Sequence, residues 1–182
     1  MSSEKRRYEK RARAEQQDET RRRIATATAE LHASVGPAQT TIAEIAKRAG
    51  VGRPTVYNNF PTEKELFAAC QAHFLATSPP PALDAGRGLE ANLRDLYSWW
   101  RANQGMSGNV ARDRGAMPAL DELMRETSDA HFDALADALG KTREQRALIR
   151  VALTFATWKT LADRGLTDAA AARLMSERAS CK

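Results

Sequence analysis

The residues best suited to chemistry lie between Thr41 and Phe60, and the chemistry they suit is hydrogen bonding to a nucleic acid rather than bond making. Arg53, Thr55, Tyr57, Asn58 and Asn59 share a stretch of under two helical turns, and each offers donors to phosphates or base edges. Arg53 carries the planar fork that pairs bidentately with guanine, and Asn58 carries the amide that meets adenine. Gly50-Val51-Gly52 separates this stretch from a short helix that opens at Thr41, so the segment has the layout of a DNA-reading helix-turn-helix. Amides at Thr41 and around Arg53 open helix N-termini, where a phosphate is favoured.

Several local signals build the elements that hold these residues. Thr41-Ile42-Ala43-Glu44 and Thr62-Glu63-Lys64-Glu65 each match a capping box, in which a Thr hydroxyl and a Glu carboxylate satisfy orphan amides of a new first turn. Ile42, Ile45, Ala46 and Ala49 turn the first short helix inward, and Val51 and Val56 lock the second against it. A preceding helix from about Asp18 to Ala33 places Ile24, Ala27, Thr28 and Leu31 on one stripe and stops before Gly36-Pro37. A following helix carries Leu66, Phe67, Cys70 and Phe74 toward a core and fades at Thr77-Ser78-Pro79-Pro80-Pro81, a stiff connector.

Further helices are expected at about Leu89 to Asn103, Met106 to Asp113, Pro118 to Leu139, Arg143 to Arg164 and Asp168 to Ala179. Thr142 with Gln145 caps the fourth of these. No stretch shows the period-two alternation of a strand, so the fold class is all-α. Three divisions follow: a basic, flexible arm over 1–16, the helix-turn-helix over 17–64, and a helical body over 65–182.

The net charge of +5 belongs to one end of the chain. Residues 1–64 hold 13 Lys/Arg against 8 Asp/Glu, whereas residues 65–182 hold 15 of each. A localised positive field attracts a polyanion through release of its condensed counterions. Lys5, Arg6, Arg7, Lys10, Arg11 and Arg13, with Arg21-Arg22-Arg23 behind them, make the arm a candidate for sequence-independent contact with DNA. The charged N-terminus is unlike a signal peptide, and no run of eighteen apolar residues offers a membrane span. A cytoplasmic setting is expected, with Cys70 and Cys181 as free thiols. No phosphate-cradling glycine loop, metal-ligand cluster or nucleophile motif occurs, so neither an enzyme nor a bound cofactor or metal is expected.

The run from Gln39 to Phe67, with its glycines, Tyr57 and Phe60 in register, closely resembles the DNA-binding domain of the tetracycline-repressor (TetR) family; the likeness extends over roughly Ile24 to Phe74. The resemblance implies a subunit of about nine helices, a dimer built from the last two long helices, and a ligand cavity in the C-terminal body. It also implies a DNA-contacting set of Thr41, Ala43, Gly52, Arg53, Pro54, Thr55, Tyr57, Asn58, Asn59 and Lys64. Three positions depart from the family's pattern: asparagine stands at 59 where histidine is common, Glu63 stands where a phosphate-binding lysine is common, with Lys64 displaced by one, and Ala43 stands where a long polar side chain often reaches the groove.

In the body, Phe74, Trp99, Trp100, Met106, Met117, Met124, His131 and Trp158 are the large or soft side chains able to line a small-molecule site. Most such residues are ordinary packing, and His131 reads as a packed, hydrogen-bonded residue on an apolar face. The wide apolar face of Leu148 to Leu161, together with Ala169, Ala170, Leu174 and Met175, suits pairing with a second copy of the chain. These features together lead to the expectation of a dimeric repressor that binds a palindromic operator and is released by a small molecule. An architectural DNA binder without an effector is the alternative.

Overall fold

A computed structural model describes residues 3–180, with side chains from Arg6 onward; the side chain of Lys5 and all of Cys181 fall outside the described residues. Among these residues the regular elements are all helices, without a strand, as the sequence pattern implies. It divides into two units, Met1–Thr77 and Ser78–Lys182.

The first unit contains α1 (Ser3–Ser34), α2 (Ile42–Ala49), α3 (Arg53–Asn59) and α4 (Glu63–Thr77). Its core gathers Ile24 and Ala27 of α1, Ile45, Ala46 and Ala49 of α2, Val56 and Phe60 around α3, and Leu66 of α4. Helix α1 starts at Ser3 rather than near Asp18, so the segment expected to be a flexible arm forms its opening turns. The physical reason is composition: Glu, Lys, Arg, Gln and Ala are strong helix formers, and neither Gly nor Pro interrupts them before Gly36. Beneath this core, His32 Nδ1 lies 3.4 Å from Cys70 Sγ, both buried, and burial pushes the Cys70 thiol up to about 12.

The second unit contains α5 (Gly88–Ala102), α6 (Gln104–Asp113), α7 (Pro118–Met124), α8 (Ala130–Leu139), α9 (Arg143–Ala152), α10 (Phe155–Asp163) and α11 (Asp168–Ser180). Trp100 is the hub of its core, with the rings of Tyr97 and Phe155 at 5.7 and 5.8 Å and those of Phe132 and Trp158 at 6.3 Å.

Two features of this unit depart from the sequence pattern. The expected helix from Arg143 to Arg164 is cut at Leu153-Thr154, where the Thr154 hydroxyl accepts from the Thr157 amide and starts a new helix. Periodicity misses such a cut because apolar residues continue on both sides of it. The expected helix from Pro118 to Leu139 instead contains a π-turn at Arg125–Asp129. One extra residue in that turn rotates the buried stripe by about 100°. Of the stripe expected to run through Ala130, His131, Ala134, Leu135, Ala138 and Leu139, Leu135 and Leu139 face the core, where Phe132 and Ala136 join them, and Ala130, His131, Ala134 and Ala138 are exposed.

Candidate nucleic-acid interface

Helices α2 and α3 form the turn that the sequence anticipates. Thr41 caps α2 in a complete capping box: its hydroxyl accepts from the Glu44 amide at 3.3 Å, and its own amide donates to the Glu44 carboxylate at 2.9 Å. The Thr41 hydroxyl also donates to Glu44, at 2.7 Å. These hydrogen bonds hold the Glu44 carboxyl below its usual range. Both donors of Thr41 are thus spent on a carboxylate, which makes this residue a helix cap.

Gly50 closes α2 in the left-handed conformation at φ 64°, and a Cβ there would lie 2.8 Å from the Arg23 guanidinium. Arg23 needs that room because it donates to the carbonyls of Ala49 and Gly50, the last acceptors of α2. Arg21 does the same for α3: it donates to the Asn59 carbonyl, and its guanidinium stacks 4.3 Å from the centre of the Phe60 ring. Two arginines expected in the basic leader therefore hold the C-terminal ends of both helices of the turn. Sequence reading missed this because the bonded partners lie 38 and 26 positions away.

On α3, Gly52, Arg53, Pro54, Tyr57 and Asn58 are exposed, with Tyr57 at 55%, and Thr55 is half-buried. Val56 and Phe60 pin the opposite side into the core. Asn59 is on that side as well. Its amide nitrogen donates to the Thr55 carbonyl at 2.8 Å, while its side-chain oxygen is buried without a hydrogen-bond partner among the described residues. The signal was available in the spacing, since position 59 follows buried Val56 by three and so shares its face. Ala43 and Lys64 are half-buried, and α3 with its N-terminal flank is where the outward-facing polar groups concentrate.

Of the residues expected to line a small-molecule site, Trp99, Trp100 and Trp158 meet in the core of the second unit. Phe74 belongs to the first unit. Trp100 and Trp158 are core residues, the latter donating its indole N–H to Asp168 at 2.9 Å, and Met106 is buried. Trp99 is half-buried and donates to the Ser78 carbonyl at 3.1 Å. Met117 and Met124 are half-buried, and His131 faces solvent. A shallow surface depression lined by Ala156, Thr157, Thr160 and Leu161 contains none of them. Among the described residues, no three His, Cys, Asp or Glu side chains are grouped to hold a metal, and no helix is long and apolar enough to cross a membrane.

Comparison with known proteins gives the following findings. Residues 24–70 match the family "Bacterial regulatory proteins, tetR family". An HTH-type transcriptional regulator of Mycobacterium bovis is 40% identical over 77 residues, which cover 42% of this chain and 40% of that protein; the chain thus matches under half the length of this relative. A solved fatty acid metabolism regulator of Clostridium perfringens superposes with a TM-score of 0.59 at 16% identity, over 86% of this chain and 96% of that one. A TetR transcriptional regulator from Rhodococcus sp. RHA1 gives a TM-score of 0.52 at 22% identity, over 91% and 94%. At such identities the two structures establish a shared fold: an N-terminal helix-turn-helix followed by a helical C-terminal domain.

Proposed function

We infer that this chain, a member of the TetR family of bacterial regulatory proteins, is a transcriptional repressor of the cytoplasm that binds a palindromic operator as a dimer and is released by a small molecule. The observation that carries the reading is the outward face of α3: Arg53, Pro54, Tyr57 and Asn58 are exposed together on a helix whose other side is fixed by Val56 and Phe60. In this reading α3 enters the major groove, Arg53 reads a base pair, Asn58 a second, and Tyr57 meets a phosphate. Thr41 and Lys64 are backbone contacts of lesser weight, and Ala43 offers an apolar contact to a thymine methyl. Gly52 lets the backbone approach, and Asn59 acts from behind by holding the last turn of α3.

Dimerisation is supported by apolar side chains left uncovered within one chain, since Leu148 and Val151 on α9 are 41% and 50% exposed. The effector remains a matter of class: a small, largely apolar molecule suits the aromatic and methionine content of the second unit. Its binding and that of DNA are coupled equilibria, so each weakens the other by one common factor.

Selection of bound duplexes from a random pool tests the core of this reading. An inverted repeat with half-sites about 34 Å apart is the expected product. Recovery of no palindrome at low ionic strength overturns it. The architectural reading is favoured by the basic opening turns of α1, whose charges carry no base preference; it predicts that scrambling a recovered site leaves affinity unchanged.

A further inference from the structure

The opening turns of α1 carry an asymmetry that a flexible basic tail would lack. At about 100° per residue, Arg6, Lys10, Arg13, Gln17 and Arg21 fall on one side of the helix, a stripe free of acids. Glu15 and Glu19 lie on the opposite side, with Glu9 and Asp18 on the flanks. Two cations on the acidic side are neutralised locally, Arg11 by Glu15 at 2.9 Å and Arg22 by Glu19 at 2.6 Å. Arg6, Lys10 and Arg13 are exposed and have no carboxylate partner among the described residues. The last member of the stripe, Arg21, is the side chain that grips the C-terminal end of α3. From Arg6 to Arg21 the stripe runs about 22 Å as one continuous helix.

We propose that this half of α1 is a rigid rod that lays its cationic stripe along the sugar-phosphate backbone bordering the groove entered by α3, extending the footprint onto flanking duplex without reading it. The proposal rests on the reading of α3 as a major-groove helix and adds the partner and the geometry of the leader. Charge complementarity selects a polyanion. An anionic bilayer is disfavoured because residues 6–21 offer only Tyr8 and three small or weakly apolar positions, Ala12, Ala14 and the Thr20 methyl, and no apolar face to insert. Arg21 sets the phase: it ties the rod to α3, so the stripe and the reading helix face the duplex as one body.

The test uses the full chain on a selected duplex with long flanks and on a random duplex, with affinity measured from 0.05 to 0.2 M salt. Changing Arg6, Lys10 and Arg13 together to Gln should flatten the log-log salt slope by about 0.9 for each lost phosphate contact, or about 2 to 3 in all. Changing the paired Arg11 and Arg22 to Gln should alter it by less than about 1. Two alanines inserted after Gln16 keep every charge but turn the stripe by about 200°, and the slope should fall as far as in the triple variant. Seven residues inserted there restore the phase to within about 20° and should restore the slope.

A two-residue insertion that binds like the parent overturns the rod and leaves a flexible arm. A triple variant with an unchanged slope overturns the contact altogether, as does loss of binding to phosphatidylserine vesicles without any change on DNA. Failure of the α3 reading is separable: the parent chain would then choose no sequence, while the phase dependence on the random duplex would still be read directly.

Discussion

The two units differ in how their best-held arginines are used. In the second, nearly every well-placed guanidinium meets an aspartate: Arg101 with Asp168 at 2.8 Å, Arg112 with Asp113 at 2.6 Å, Arg114 with Asp121 and Asp129, and Arg150 with Asp129 and Asp133. In the first, Arg11, Arg22 and Arg48 pair with glutamates, but Arg21 and Arg23 bind backbone carbonyls at helix ends, which leaves their charge uncancelled, and Arg53 faces solvent. A cation paired with a carboxylate is lost to a polyanion; one held by a carbonyl keeps its field. The excess charge of the chain is therefore located by its partners as well as by its sequence.

Replacing Trp158 by Ala should break the second unit most severely. The side chain is 1% exposed and packs on Trp100 and Phe155, so the loss should be about 3–5 kcal/mol of unfolding free energy, read by urea denaturation. An effect under about 1 kcal/mol would mean that the aromatic hub is not the core of this unit.

Asp129→Ala should cost about 2 kcal/mol, because one carboxylate serves both Arg114 and Arg150 at 2.7 and 2.8 Å. Burial pushes this carboxyl up, but hydrogen bonds and charge from Arg114, then Arg150, outweigh it and the net direction is down. A lowered carboxyl contributes stability above the ordinary aspartate range and loses it as pH falls below about 4. Acid denaturation of the variant should therefore lack part of the parent's low-pH limb, and identical limbs would dismiss the network as a stabiliser.

Arg53→Ala sharpens the contrast from the other side. It should leave thermal stability unchanged while weakening a selected operator by about 2 kcal/mol, roughly thirtyfold, and relaxing preference at one base pair. Uniform weakening across all sequences would move Arg53 from base reading to phosphate contact.

Gly50→Ala has the smallest expected effect, about 1 to 2 kcal/mol on the first unit from forcing a side chain into the left-handed region and displacing Arg23. Circular dichroism melts would show it; a neutral result would mean that the Arg23 clamp is dispensable.

What could be read in advance was whatever is encoded locally. Thr41 with Glu44 and Thr142 with Gln145 announced their helices, Pro54 and Pro118 opened theirs, and Gly50 ended one. The helix-turn-helix was legible because its glycines and apolar positions lie within about twenty residues of one another. The rest depended on what arrives from elsewhere in the chain or on a change of period. Arg21 and Arg23 find acceptors on helices far away in sequence. His131 was misplaced because a single π-turn shifts the phase of everything after it, and the break before Phe155 was hidden because its Thr154 cap sits inside an apolar run.

That π-turn also bears on motion. Its five residues close wider, less well aligned amide-to-carbonyl rings than the α-helical turns on either side, and Arg125 and Glu126 are exposed. Amide protons there should exchange with solvent sooner than those of α7 and α8, which gives the run from α7 through α8 a point of easy opening midway along its length. Deleting one residue from the turn would let the hydrogen-bond ladder run unbroken, keep Phe132 beside Trp100 and close that point.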